Sequence, residues 1–169
     1  MNILIAIASR HGSTEGIGEM LAEELRTTGH TVTLRAADDA AEVRPYDAAI
    51  IGSAVYAGNW LPAATAFVER ERVRLAAVPV WLFSSGPVGA EHRQPEGDPK
   101  QLAEVQATIG VKEHRIFAGK LDKHDLNLAE RVITRVVGAP DGDFRDWDAI
   151  RAWAREIAAA LPVPAPVTA

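Results

Sequence analysis

The segment Asn2–Ala8 (NILIAIA) constrains the fold more than any other stretch of the chain. It is an apolar run of strand length with no alternation between a wet and a dry face. Such a run belongs in a strand buried on both sides, as in a parallel sheet covered by helices. The chain then turns polar at Ser9-Arg10-His11-Gly12-Ser13-Thr14. Beyond it, Ile17, Met20, Leu21 and Leu25 recur at the spacing of one helix face, and Gly29 marks the end of that helix.

The pattern repeats along the chain. Thr31–Arg35 (TVTLR), Asp47–Ser53 (DAAIIGS), Val78–Ser84 (VPVWLFS) and His114–Gly119 (HRIFAG) read as further strands. Between them, Pro62 opens a helix with Ala64, Phe67, Val68 and Leu75 as its contacts. Asp98-Pro99 reads as cap and first helical residue, with Leu102, Val105 and Ile109 on one face. Leu126–Val137 has helical spacing, and a last helix begins at about Asp146 and carries Trp147, Ile150, Ala154, Ile157 and Leu161. Five strands alternating with helices predict a doubly wound α/β domain with a parallel sheet in the order 2-1-3-4-5. Its ligand crevice lies at the C-terminal ends of strands one and three. The domain is expected to span residues 1–161, leaving the proline-rich tail 162–169 disordered.

Composition narrows the function. At 169 residues the chain is one domain, and a net charge of −5 argues against a general nucleic-acid binder. There is no cysteine, hence no disulfide, thiol nucleophile or Cys-ligated cluster, and redox chemistry would need a bound cofactor. The first strand begins at Asn2, leaving no room for a signal peptide, and no apolar run reaches membrane-spanning length. A cytoplasmic location is expected. The five histidines share no ligand spacing; even Asp122-Lys123-His124-Asp125 has no second cluster, so no metal site is assigned. His30 reads as a solvated residue after the helix, and Glu69–Arg74 as a solvated helix end with paired charges.

Three loops fall at the crevice. The first, Ser9–Thr14, joins a buried strand to a helix start, where unpaired N–H groups and the helix dipole favour an anion. Ser9, Ser13 and Thr14 add hydroxyls, and Gly12 permits close approach. The plain alternative is that Ser13 or Thr14 caps the helix. A Walker loop is excluded, since Ser13 rather than lysine follows Gly12, and Gly12, Gly16 and Gly18 lack the dinucleotide spacing. The acidic pair of a receiver domain is missing too. The second loop, Ser53–Trp60, sets Tyr56 and Trp60 around Gly58, as a flat ligand flanked by aromatic faces requires. Packing of Trp60 under the next helix is the equal alternative. The third, Ser84-Ser85-Gly86-Pro87-Val88-Gly89, offers amides and hydroxyls to a polar ring edge, or is an ordinary turn.

S-R-H-G-S-T after ILIAIA resembles the flavodoxin signature, Thr/Ser-x-x-Gly-x-Thr after the first strand, and YDAAIIGSAVYAG is similar to that superfamily's third strand and loop. More narrowly, ASRHGSTEGIGEMLAEEL, IIGSAVYAGNW with its helix ending FVER, and FAGKLD…RDWDAIRAWAREIA resemble the flavodoxin-like menaquinone-dependent protoporphyrinogen oxidases. The resemblance covers nearly the whole chain. It implies FMN as cofactor, with the phosphate held by Ser9, His11, Gly12, Ser13 and Thr14. The isoalloxazine would meet Ala54, Val55, Tyr56, Ala57, Gly58 and Trp60 on one side, and Ser84, Ser85, Gly86 and Pro87 on the other.

Three functions follow as expectations. The first is an FMN oxidoreductase exchanging electron pairs with a quinone or porphyrinogen-like molecule. The second is a flavodoxin carrier docking to redox proteins, and the third a flavin-free interaction domain on the same scaffold. Neither a catalytic side chain nor an oligomeric state is assigned. The mixed-charge insertion Leu121–Pro140 is a poor anchor for anionic lipid, so membrane contact is at most peripheral.

Overall fold

Asn2–Ala8 forms β1, an interior strand of a six-stranded sheet. The computed structural model describes residues 1–39, 43, 45–86, 99–121 and 142–161. After β1 come α1 (Ser13–Thr27), β2 (Thr31–Ala36), β3 (Ala48–Tyr56), β4 (Asn59–Trp60) and α2 (Pro62–Leu75). The chain continues through β5 (Val80–Ser85), α3 (Leu102–Thr108), β6 (Val111–Phe117), β7 (Lys120–Leu121), β8 (Gly142–Asp143) and α4 (Trp147–Ala160).

The sheet runs β2-β1-β3-β5-β6, with β4 folded back antiparallel on β3. Setting that two-residue strand apart, this is the expected order 2-1-3-4-5. All pairings along the path are parallel: Ile3 lies opposite Val32, Ile5 opposite Ile50, Ile51 opposite Leu82, and Ser84 opposite Ile116. β7 and β8 form a separate antiparallel ribbon.

The apolar run of β1 has two destinations. Ile3, Ile5 and Ile7 join Ile50 and Phe83 against α1 (Ile17, Leu21, Leu25) and α4 (Ile150, Trp153, Ile157). Leu4, Ala6 and Ala8 join Ile51 and Leu82 against α2 (Ala64, Phe67, Leu75) and α3 (Leu102, Val105). Side chains alternate between faces with a period of two, so a strand covered on both faces is apolar throughout. Burying each large aliphatic contributes about 1.5–3 kcal/mol.

Local differences from the sequence expectations have physical reasons. β6 begins at Val111, ahead of His114, because the polar residues of Val111–Arg115 lie on an edge strand that is only half-buried. α3 begins at Leu102, after a turn in which the Leu102 N–H donates to the Pro99 carbonyl (2.8 Å). The Glu69–Arg74 segment is not wholly solvated. Glu71 is buried, accepts from the Val43 N–H (3.2 Å), and pairs with Arg74 (2.9 Å). Burial pushes its carboxyl upward, but the bonds from Arg74 and Val43 outweigh this and hold it below its ordinary range. His30 is buried too, at 7% exposure, rather than solvated. Asp98, the helix Leu126–Val137, the Asp122–Asp125 cluster and the tail lie outside the described residues. Among those described, no helix is long and apolar enough to cross a membrane.

Candidate functional site

β1, β3 and β5 end on the same edge of the sheet, and the structure brings their loops together. The His11 and Tyr56 rings stand 6.5 Å apart, linking the first loop to the second. A side chain at Gly86 would meet the Val55 carbonyl at 3.7 Å, linking the second to the third. One at Gly119 would lie 3.3 Å from Ser13 Oγ and 3.4 Å from Ser85 Oγ, so the first and third loops also meet. Pro87 lies outside the described residues.

The first loop leads into an uncapped helix start. Gly12 adopts a left-handed conformation (φ 73°) as N-cap of α1, and no side chain caps the helix. The first-turn N–H groups therefore lack the intrahelical and capping partners that would satisfy them. Two buried hydroxyls of the same loop, Ser9 Oγ and Thr14 Oγ1, have no hydrogen-bond partner. Leaving a buried polar group unpaired costs about 1–3 kcal/mol. Donors of this kind at the positive end of a helix dipole suit a phosphate group and not a cation. Ser13 differs: its Oγ accepts from the Lys120 N–H (2.7 Å), which leaves its own proton free to donate. A cavity of about 180 Å³, lined by Ile7, Ser9, Glu15, Leu34, Arg35 and Ala36, opens on the β2 side of the loop.

The second loop is a hairpin turn. Tyr56 pairs with Asn59, and both central residues have positive φ, 49° at Ala57 and 75° at Gly58. That is the signature of a type I′ turn, the two-residue connection whose twist matches its strands. Gly58 suits this conformation; Ala57 is strained in it. Gln101 clamps the turn, accepting from the Trp60 N–H (3.2 Å) and donating to Asn59 Oδ1 (3.0 Å). Tyr56 is exposed at 36%, with the Arg10 guanidinium 4.9 Å from its ring centroid. Trp60 points the other way. Its ring is buried at 3% exposure in the α2 core, and its indole N–H donates to Ser84 Oγ at 2.8 Å.

In the third loop, Ser84 and Ser85 are buried, and the Gly86 N–H donates to the Phe117 carbonyl (2.9 Å). Ser84 Oγ lies 2.9 Å from His114 Nε2, completing a Trp60–Ser84–His114 chain behind the crevice. Sequence reasoning missed His114, Gln101 and Arg145, whose Nη1 donates to the Ser13 carbonyl (3.3 Å). No spacing pointed to them, because each meets the loops from a distant part of the chain.

A family model described as a flavodoxin domain matches residues 4–148. Comparison with curated proteins finds no match. Among solved structures, oxidised flavodoxin 2 from Bacillus cereus superposes with a TM-score of 0.66 at 24% identity, covering 95% of this chain and 100% of its own. A flavodoxin from the domain Archaea gives 0.65 at 15% identity, with 95% and 98% covered. Rubredoxin oxygen:oxidoreductase from Desulfovibrio gigas gives 0.63 at 21% identity, covering 94% of this chain but 35% of that larger one. At these identities the likeness is one of fold. The family match, with the sheet order and the uncapped first loop, places the chain: it belongs to the flavodoxin-domain family, whose members bind FMN and transfer electrons.

Proposed function

We propose that this chain binds FMN and exchanges electron pairs with a quinone or porphyrinogen-like molecule, as the flavodoxin-like protoporphyrinogen oxidases do, in the cytoplasm. The observation that carries the cofactor assignment is the pair of unpartnered hydroxyls, Ser9 Oγ and Thr14 Oγ1, beside an uncapped helix start. FMN, when bound, supplies the redox chemistry. The protein's residues bind and orient it. Ser9, Gly12, Ser13 and Thr14 offer the phosphate hydroxyls and backbone N–H groups, and His11 stands over the hairpin side. Ala54–Gly58 and Ser84–Gly86 would border the flavin ring. Trp60 supports the hairpin from below, and its N–H is already committed to Ser84. The exposed ring of Tyr56 at the crevice rim suits an approaching flat, apolar partner.

A one-electron carrier docking to redox proteins is the second reading, and the flavodoxin-domain match favours it. Titration of the purified protein with FMN, followed by anaerobic reduction, separates the two. Tight binding and reduction in a single two-electron step support the oxidoreductase, and a screen of quinones follows. Two resolved one-electron steps support the carrier. Absence of binding overturns both.

A further inference from the structure

We infer that Arg145 is a positioning residue of the first loop, aiming the Thr14 N–H at the phosphate and so setting the preference for FMN over its unphosphorylated form. This rests on the FMN reading above. Arg145 lies between β8 and α4, far from the loop in sequence, and its side chain is only 11% exposed. Its Nε and Nη2 form a fork on Asp143, at 2.8 Å to Oδ1 and 2.5 Å to Oδ2. The guanidinium carbon sits 4.3 Å from the Trp147 ring centroid. Nη1 is left to donate to the Ser13 carbonyl at 3.3 Å.

That carbonyl belongs to the same peptide unit as the Thr14 N–H. The unit is planar, so holding the oxygen fixes the direction of the hydrogen. The Lys120 N–H also holds Ser13 Oγ, at 2.7 Å. The first residue of α1 is thus gripped at its carbonyl by Arg145, just after β8, and at its hydroxyl by Lys120, the first residue of β7.

Asp143 decides what kind of help Arg145 gives. The hydrogen bonds from Arg145 hold the Asp143 carboxyl below its usual range, so it stays ionised and neutralises the guanidinium. The pair brings almost no net charge to the loop; it contributes geometry. Lysine would keep the charge but lacks the fork needed to bind Asp143 and Ser13 together. The structure offers a second way to remove the contact. A side chain at Gly16 would stand 2.4 Å from Nη1, so Gly16→Ala pushes the guanidinium off the first turn. Alanine also favours the helix interior over glycine, which keeps the fold intact.

The test is the ratio of dissociation constants for riboflavin and FMN in the wild type, R145K and G16A, with circular dichroism and thermal unfolding as folding controls. The wild type is expected to prefer FMN, and both variants to lose about tenfold of that preference, as the loss of one charge-assisted hydrogen bond implies. Riboflavin affinity should change little. A preserved ratio in folded R145K or G16A overturns the inference, as does equal weakening of both ligands, which marks a merely structural role. Should R145K fail to fold, G16A decides. No preference for FMN in the wild type overturns the functional reading itself, and this inference with it.

Discussion

The first loop and the hairpin lie at the same edge of the sheet but are built in opposite ways. Around the hairpin the polar groups are taken: Asn59 and the Trp60 N–H are bound by Gln101, the Trp60 indole by Ser84, and the Leu61 N–H by Ser53 Oγ at 3.0 Å. The first loop leaves Ser9 Oγ and Thr14 Oγ1 buried and unpaired and its helix uncapped. A satisfied network is rigid scaffold, and an unsatisfied one is stabilised further only when something binds. The hairpin therefore has its bonding complete within the chain, whereas the first loop leaves donors for a ligand such as the FMN proposed above.

Substitutions should separate the two regions cleanly. The largest effect is expected at Trp60. Trp60→Ala removes a ring that is 3% exposed and should destabilise the free protein by about 3–5 kcal/mol in urea unfolding. A folded, stable variant with lost FMN affinity would instead make the ring a ligand contact, and the comparison would break. Thr14→Val is expected to do the reverse. Removing a hydroxyl that has no partner should leave the free protein as stable or more stable by up to about 1 kcal/mol. FMN affinity should fall roughly tenfold in calorimetric titration. Unchanged affinity with reduced stability would show that Thr14 serves the fold and not a phosphate.

The same division explains what could be read from the sequence. β1 was legible because burial on both faces leaves no polar face to confuse the pattern, and the first loop because its glycine and hydroxyls are contiguous. Val111–Glu113 was missed as strand because β6 is an edge strand with an exposed polar side, which carries no apolar run. Arg145, Lys120 and Gln101 reach the site across 132, 107 and 41 residues. Contacts of that kind are set by where parallel strands end, and neither spacing nor periodicity records them. Trp60 stood between two readings for a related reason. Its direction depends on the register of a two-residue strand, Trp60 against Val55, and so short a strand shows no alternation.

The turn itself allows a finer test. Ala57 and Gly58 both have positive φ, but only Gly58 adopts it without a Cβ penalty. Ala57→Gly should stabilise the free protein by about 0.5–1 kcal/mol, and Gly58→Ala should destabilise it by about 1 kcal/mol. Opposite signs at adjacent positions are the diagnostic outcome of paired thermal melts. If both substitutions destabilise, the contacts of the Ala57 side chain outweigh its backbone strain.

The smallest effect concerns a third unpaired atom, and it tests whether such an atom alone marks a site. His30 Nδ1 is buried without a partner, but it follows the C-terminus of α1 and leads into β2, at the edge opposite the loops. Here the lack of a partner suits a residue that stays neutral. Burial, assisted by the nearby N-terminal amino group, holds the imidazole below its ordinary value. The unfolded chain then binds more protons than the folded one between the two values. Stability contributed by neutral His30 is full above about pH 6.5 and is lost as the pH falls through that range. The urea midpoint of the wild type should drop between about pH 7.5 and pH 5.5, and His30→Leu should flatten that part of the profile. FMN affinity should be the same in both proteins at each pH. Parallel stability profiles would mean that His30 titrates alike in both states, and a change in FMN affinity would mean that the two edges of the sheet are coupled.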